Sequence, residues 1–92
     1  NGATTPAGTQ NLIEELGIKV YPNPCSDVLY LESTQFDISQ DQITLFDLQG
    51  RTLLMKNCET KGIDVSSIIN GVYILDLKHN DKSYRTLIEI TR

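Results

Sequence analysis

The segment Val20-Tyr21-Pro22-Asn23-Pro24 constrains this chain more than any other. Two prolines two residues apart hold φ at about −65° at both positions and remove two backbone N–H donors. Tyr21 and Asn23 each precede a proline and are pushed toward extended geometry. Such a segment is neither a helix nor the interior of a sheet. It reads as a stiff extended corner that ends one short strand and launches the next.

The residues on either side fit that reading. Ile18-Lys19-Val20 alternates into the corner, and Val28-Leu29-Tyr30-Leu31-Glu32 follows the turn pair Ser26-Asp27. Further strand patterns run over 43–48, 52–56, 63–65, 72–77 and 83–91. Gln49-Gly50 closes the hairpin between the first two of these, with Gly50 free to take positive φ. Residues 66–71 read as one tight turn, capped by Asp64 or Ser66, and residues 79–82 turn the last hairpin. Seven short strands and no helix of ordinary length predict an all-β fold, a seven-stranded antiparallel immunoglobulin-like β-sandwich. Its expected core is Val20, Leu29, Leu31, Ile43, Leu45, Leu53, Tyr73, Leu75, Leu77, Ile88 and Ile90. Phe46 and Leu48 fall out of phase with Ile43 and Leu45, which predicts a β-bulge or a second half-buried face.

Ahead of the strands the composition changes. Residues 1–11 hold no large apolar side chain and read as a linker. Leu12 and Leu16 are spaced for one helical turn, but Gly17 interrupts any longer helix, so an extended segment along a sheet edge is favoured. The division is therefore a flexible linker and lead-in over 1–16 and a folded domain over 17–92. The first residues, Asn1-Gly2-Ala3, include neither an initiator Met nor a signal peptide, and the chain reads as a piece of a longer protein.

Net charge is −4 over 92 residues, with Lys and Arg scattered, which argues against nucleic acid as a partner. No apolar run approaches the ~20 residues of a spanning helix. Two cysteines, Cys25 and Cys58, admit one pairing, and their spacing is not that of a metal or redox motif. Spacing leaves a disulfide open beside two small half-buried thiols.

The residues for catalysis are missing. His79 is the one histidine and lies on a polar turn, where a solvated side chain is expected. One His and two scattered Cys cannot form a zinc site. Asp37, Asp41, Asp47, Asp64, Asp76 and Asp81 are dispersed, without a calcium-loop pattern. No catalytic, metal or cofactor site is assigned, and the domain is not expected to be an enzyme.

Four landmarks stand in order. They are Val20-Tyr21-Pro22-Asn23-Pro24; Leu45-Phe46-Asp47-Leu48-Gln49-Gly50-Arg51; Ile63-Asp64-Val65-Ser66 with Gly71-Val72-Tyr73-Ile74-Leu75; and Leu87-Ile88-Glu89-Ile90-Thr91-Arg92. The series resembles the type A C-terminal sorting domain of type IX secretion. That family shows a YPNP start, a D-L-x-G-R/K hairpin, an I-D-V/L-S segment followed by G-x-Y, and a short apolar terminal strand with basic residues. The resemblance spans about residues 18–92. One departure is that Arg85 and Arg92 are the only basic residues over 83–92, where family tails often carry several lysines.

The resemblance implies an address label at the end of a larger cargo. The label is read by an outer-membrane translocon and is usually removed by a sortase-like peptidase cutting within residues 1–11. Transit runs through the periplasm to the cell surface or the medium. By this resemblance the sorting motif comprises Tyr21, Pro22, Asn23, Pro24, Asp47, Gly50, Arg51, Gly71, Tyr73, Leu87, Ile88, Glu89, Ile90, Thr91 and Arg92, most of them structural. The translocon is expected to engage the terminal strand by backbone pairing. An exposed edge strand is expected to permit weak homodimerisation. Two alternatives are a fibronectin-like spacer or adhesion module and a carbohydrate-binding module.

Overall fold

The computed structural model describes residues 11–35, 37–58 and 62–92. Among these residues, eight strands form two sheets. They are β1 (Asn11–Leu12), β2 (Ile18–Tyr21), β3 (Val28–Ser33), β4 (Gln42–Phe46), β5 (Thr52–Asn57), β6 (Ile63–Asp64), β7 (Gly71–His79) and β8 (Lys82–Ile90). The larger sheet has the order β1-β8-β7-β4-β5 and the smaller the order β2-β3-β6. β2 to β8 are the seven expected strands, and all pair antiparallel. β1 is an addition, two residues long and parallel to β8.

The core lies between the sheets and follows the period-2 alternation of strands. Ile43 and Leu45 of β4, Leu75 and Leu77 of β7, and Ile88 and Ile90 of β8 are buried from one side, with Leu29 of β3. Tyr73 is buried too, and Val20 and Leu31 pack at the core margin. A buried Leu or Ile contributes about 1.5–3 kcal/mol relative to an exposed one, so this face dominates folding.

Leu53 corrects the expected core. The β4–β5 register shifts between Leu45 and Phe46, which pair with Leu54 and Thr52. Leu53 is the surplus residue of the resulting bulge and is turned outward, while Leu54 packs against the core. The phase break at Phe46 therefore does mark a bulge, and Leu48 is left largely exposed.

Six further residues join the core: Ile13, Ile18, Cys25, Ile38, Ile63 and Val65. Ile13 opens a four-residue 3-10 turn, Ile13–Leu16, and is fully buried. The lead-in is thus extended for two residues and helical for one turn, both within one short segment.

The last hairpin turns through Asn80 and Asp81, both at positive φ (52° and 66°), between the paired residues His79 and Lys82. Two left-handed residues match the type I′ geometry of a two-residue hairpin. His79 is not the solvated side chain expected. Its Nδ1 lies 2.6 Å from Asp41 Oδ2, and both side chains are largely buried.

Candidate functional site

The four sequence landmarks converge at one end of the sandwich. Gly71 at the start of β7 pairs with Ile90 at the end of β8. The 47–51 turn joins β4 to β5 just past the Phe46–Ile74 pair. The Tyr21–Cys25 corner lies along the last residues of β8. The opposite end carries the Asn80-Asp81 turn, and β1 runs parallel to β8, with Asn11 opposite Tyr84.

The corner is bent rather than extended. Both Tyr21-Pro22 and Asn23-Pro24 are cis, and residues 22–24 form a bend. Tyr21 ends β2 and stacks on Tyr30 at 5.6 Å between ring centroids. Pro22, Asn23 and Pro24 are exposed, and Cys25 is buried.

Asn23 supplies the corner's main tie. Its Nδ2 donates to Leu87 O at 3.3 Å, and the Glu89 N–H donates to its Oδ1 at 2.9 Å. Two residues later the backbone takes over. Cys25 N–H donates to Glu89 O, and Thr91 N–H donates to Cys25 O, each at 2.9 Å. With β1 opposite Tyr84 and Arg85, the outer edge of β8 is occupied from 84 to 91. The terminal strand, expected to engage the translocon by backbone pairing, is thus lined on both sides from within the chain. β7 fills one side of β8, and β1, Asn23 and Cys25 line the other.

The final residues are gripped in turn. Arg92 Nη2 donates to Val65 O at 2.5 Å, Nη1 donates to Ile68 O at 2.6 Å, and Nε donates to Asp27 Oδ1 at 3.2 Å. The backbone N–H of Arg92 donates to Asn70 Oδ1 at 3.3 Å. The guanidinium fork thereby braces the 65–70 turn, adding a second donor to Val65 O, which already accepts from Ile68 N–H at 3.0 Å. Leu87 and Glu89 are exposed, Ile88 and Ile90 are buried, and Thr91 Oγ1 donates to Glu89 Oε2 at 3.2 Å.

Local bonds shape the other two landmarks. Asp47 Oδ1 accepts from the N–H groups of Gln49 and Arg51, both at 2.9 Å, and its Oδ2 accepts from Arg51 Nε at 2.8 Å. These bonds, led by the Arg51 amide, hold the Asp47 carboxyl below the usual carboxylate range. Gly50 sits at φ 93°, a region side chains rarely adopt, with open space around it. In the 63–73 stretch, Ser66 N–H donates to Asp64 Oδ1 at 2.9 Å, and Tyr73 Oη donates to Ile69 O at 2.5 Å. The first of these is the cap expected of Asp64.

Cys25 and Cys58 are both free. Cys25 is buried at the corner, and Cys58 is half-buried after β5, its N–H donating to Asp41 O. Burial, with the nearby Asp41 charge, pushes the Cys58 thiol up to about 11. Asp37 accepts from Ser39 N–H and Asp41 pairs with His79, so these loop carboxylates are engaged within the protein. The residues expected to carry peptidase cleavage, 1–11, lie outside the described residues except for Asn11.

Sequence reasoning missed Asp27 and Asn70, which hold Arg92, and the cross-strand pair Asp76–Arg85 on the outer face of the larger sheet. There Arg85 Nε donates to buried Asp76 Oδ2 at 2.8 Å and the guanidinium lies 5.5 Å from the Phe46 ring. An Asp opposite an Arg across the 79–82 turn was a readable signal for that pair.

The comparisons agree with this architecture. Residues 19–90 match the model of a family described as a secretion system C-terminal sorting domain. The chain is also similar to Beta-agarase D of Zobellia galactanivorans, 33% identical over 60 residues. That match covers 65% of this chain and 12% of the agarase, so the chain corresponds to a small fraction of that relative's length.

Proposed function

Since this chain belongs to the secretion system C-terminal sorting domain family, with the match running over residues 19–90, we propose how its structure serves that role. The domain is a C-terminal signal for type IX secretion. It marks a cargo protein for the cell surface or the extracellular space, and its part in that process is an address rather than a reaction.

The observation that carries the mechanism is the meeting of all four motifs at one end, around the end of β8. Most motif residues act by building this end. Asn23 and Cys25 seal the edge of β8, Arg92 braces the 65–70 turn, and Asp47 closes the 47–51 turn. The outer-membrane translocon reads the assembled shape after the cargo reaches the periplasm. A sortase-like peptidase then cuts within residues 1–11. The position of that segment ahead of Ile13, the first buried residue among those described, supports this placement of the cut.

Self-association is assigned to β5, the longest open edge among the described residues, since the other outer strands, β1, β2 and β6, are two, four and two residues long. Among the described residues this six-residue strand pairs with β4 alone, whereas the edge of β8 is occupied. Light scattering that shows a monomer at every concentration counts against this contact.

The reading is tested by deleting residues 87–92 from the full-length secreted protein. Cargo is expected to accumulate in the periplasm. Normal surface delivery of the truncated protein counts against it.

A further inference from the structure

A shallow cleft of about 400 Å³ opens at the motif end, where Asp47, Arg51, Leu53, Ile68, Ile69 and Tyr73 are among its lining residues. Two of its apolar residues face water: Ile69 is 77% exposed and Leu53 40%, and Leu48 in the adjoining turn is 62% exposed. Neither backbone around them is loose. Ile69 O accepts from Tyr73 Oη, and the neighbouring Ile68 O accepts from Arg92 Nη1. The 47–51 turn is closed by three hydrogen bonds to the Asp47 carboxylate. The apolar side chains are thus presented on a rigid frame, which lowers the entropy lost on binding.

Arg51 adds a directional group. Its side chain is 76% exposed, and its Nε is fixed to Asp47 at 2.8 Å. Its two terminal amines meet no acceptor among the described residues. An exposed ion pair of this kind is worth little to stability. Asp47 already receives two backbone N–H groups and Nε, so the groups left over at the mouth are donors. Donors beside exposed aliphatic side chains are complementary to a carboxylate beside an apolar side chain.

We infer that this cleft docks an acidic peptide segment of the export machinery. An apolar side chain of that segment fills the space between Leu53 and Ile69, and its carboxylate accepts from the Arg51 amines. The inference rests on the sorting reading and names the chemistry of the partner.

The test uses the full-length cargo in a type IX-competent bacterium, with surface-delivered cargo as the readout. Deletion of residues 12–92 checks the premise and is expected to abolish delivery. Ile69→Asp and Arg51→Gln are each expected to lower delivery at least about tenfold, as loss of a docking anchor does. Arg51→Lys, which keeps the charge, is expected to retain most of it. Met55→Asp, on an exposed side chain outside the cleft, is expected to match the parent. Melting temperatures of all four substituted proteins are expected to stay within about 2 °C of the parent, as for surface changes generally. Normal delivery by Ile69→Asp and Arg51→Gln, with none by the deletion, overturns the cleft and leaves the sorting reading standing. Normal delivery by the deletion removes the sorting reading itself. Normal delivery by Arg51→Gln alone overturns the carboxylate. A concentration-dependent dimer that Ile69→Asp abolishes makes a second copy the occupant, which also overturns the inference.

Discussion

The side-chain amide of Asn23 stands where a neighbouring strand would stand beside Glu89. It accepts the Glu89 N–H at 2.9 Å and donates to Leu87 O at 3.3 Å. A residue 66 positions earlier thus completes the edge of the final strand. The proline on each side holds the short loop that delivers it.

Replacing Asn23 with Ala removes both bonds. Stability is expected to fall by about 1–2 kcal/mol, at the usual net worth of a protein hydrogen bond. Hydrogen exchange at the Glu89 amide should rise while the β4 amides keep their relative protection. Asn23→Asp keeps the acceptor and loses the donor, and should fall between. Equal exchange at Glu89 in parent and Ala variant would show that the amide is not held by Asn23.

Arg92→Lys keeps the charge and loses the fork. A Lys cannot bridge Val65 O, Ile68 O and Asp27 as three separate N–H groups of a planar guanidinium do. A loss of about 1–2 kcal/mol in urea unfolding is expected. Retained stability in the Lys variant would mean that charge alone suffices at this turn.

The Asp47 carboxyl is depressed by the Arg51 and Gln49 amides and the Arg51 guanidinium. Its folded pKa lies below the unfolded value of about 3.9, so it adds stability above that pH and loses it as pH falls below. Asp47→Asn should therefore be less stable than the parent at pH 7, and the gap should narrow as pH falls below about 4. Thermal melts across that range check it. A constant gap would assign the effect to shape rather than charge.

Neither thiol is bonded, and the Cys58 thiol is pushed up to about 11. The melting temperature should be the same with and without reductant. Alkylation of Cys58 at pH 7.5 should be slow in the folded protein and fast after unfolding, because the thiolate is the reactive form. A melting temperature that drops on reduction would reveal a Cys25–Cys58 bond.

Much of the fold was legible because it depends on local alternation. Ile43 and Leu45, Leu75 and Leu77, and Ile88 and Ile90 declare their inward face by spacing alone. Leu53 was misplaced because one surplus residue reverses the phase of everything on one side of it. Ile13 was hidden between Leu12, which is half exposed, and Glu14-Glu15, and only the tertiary fold buries it. The motif residues were legible as a series, but not as a place. Nothing local in Asn23 or Arg92 indicates Glu89 or Val65 as a partner. Gly50 and Asp47 were readable, because a hairpin turn is closed by its own residues. The cleft by Arg51 and Ile69 joins two turns distant in sequence, and no pattern in either turn signals the other.

The central claim is that this domain suffices to address a protein for type IX secretion. The direct measurement fuses residues 1–92 to the C-terminus of a reporter carrying a signal peptide. The fusion is expressed in a type IX-competent bacterium and in a strain lacking the outer-membrane translocon. The account predicts reporter at the surface or in the medium of the first strain and retention in the periplasm of the second. Periplasmic retention of the folded fusion in both strains would contradict it.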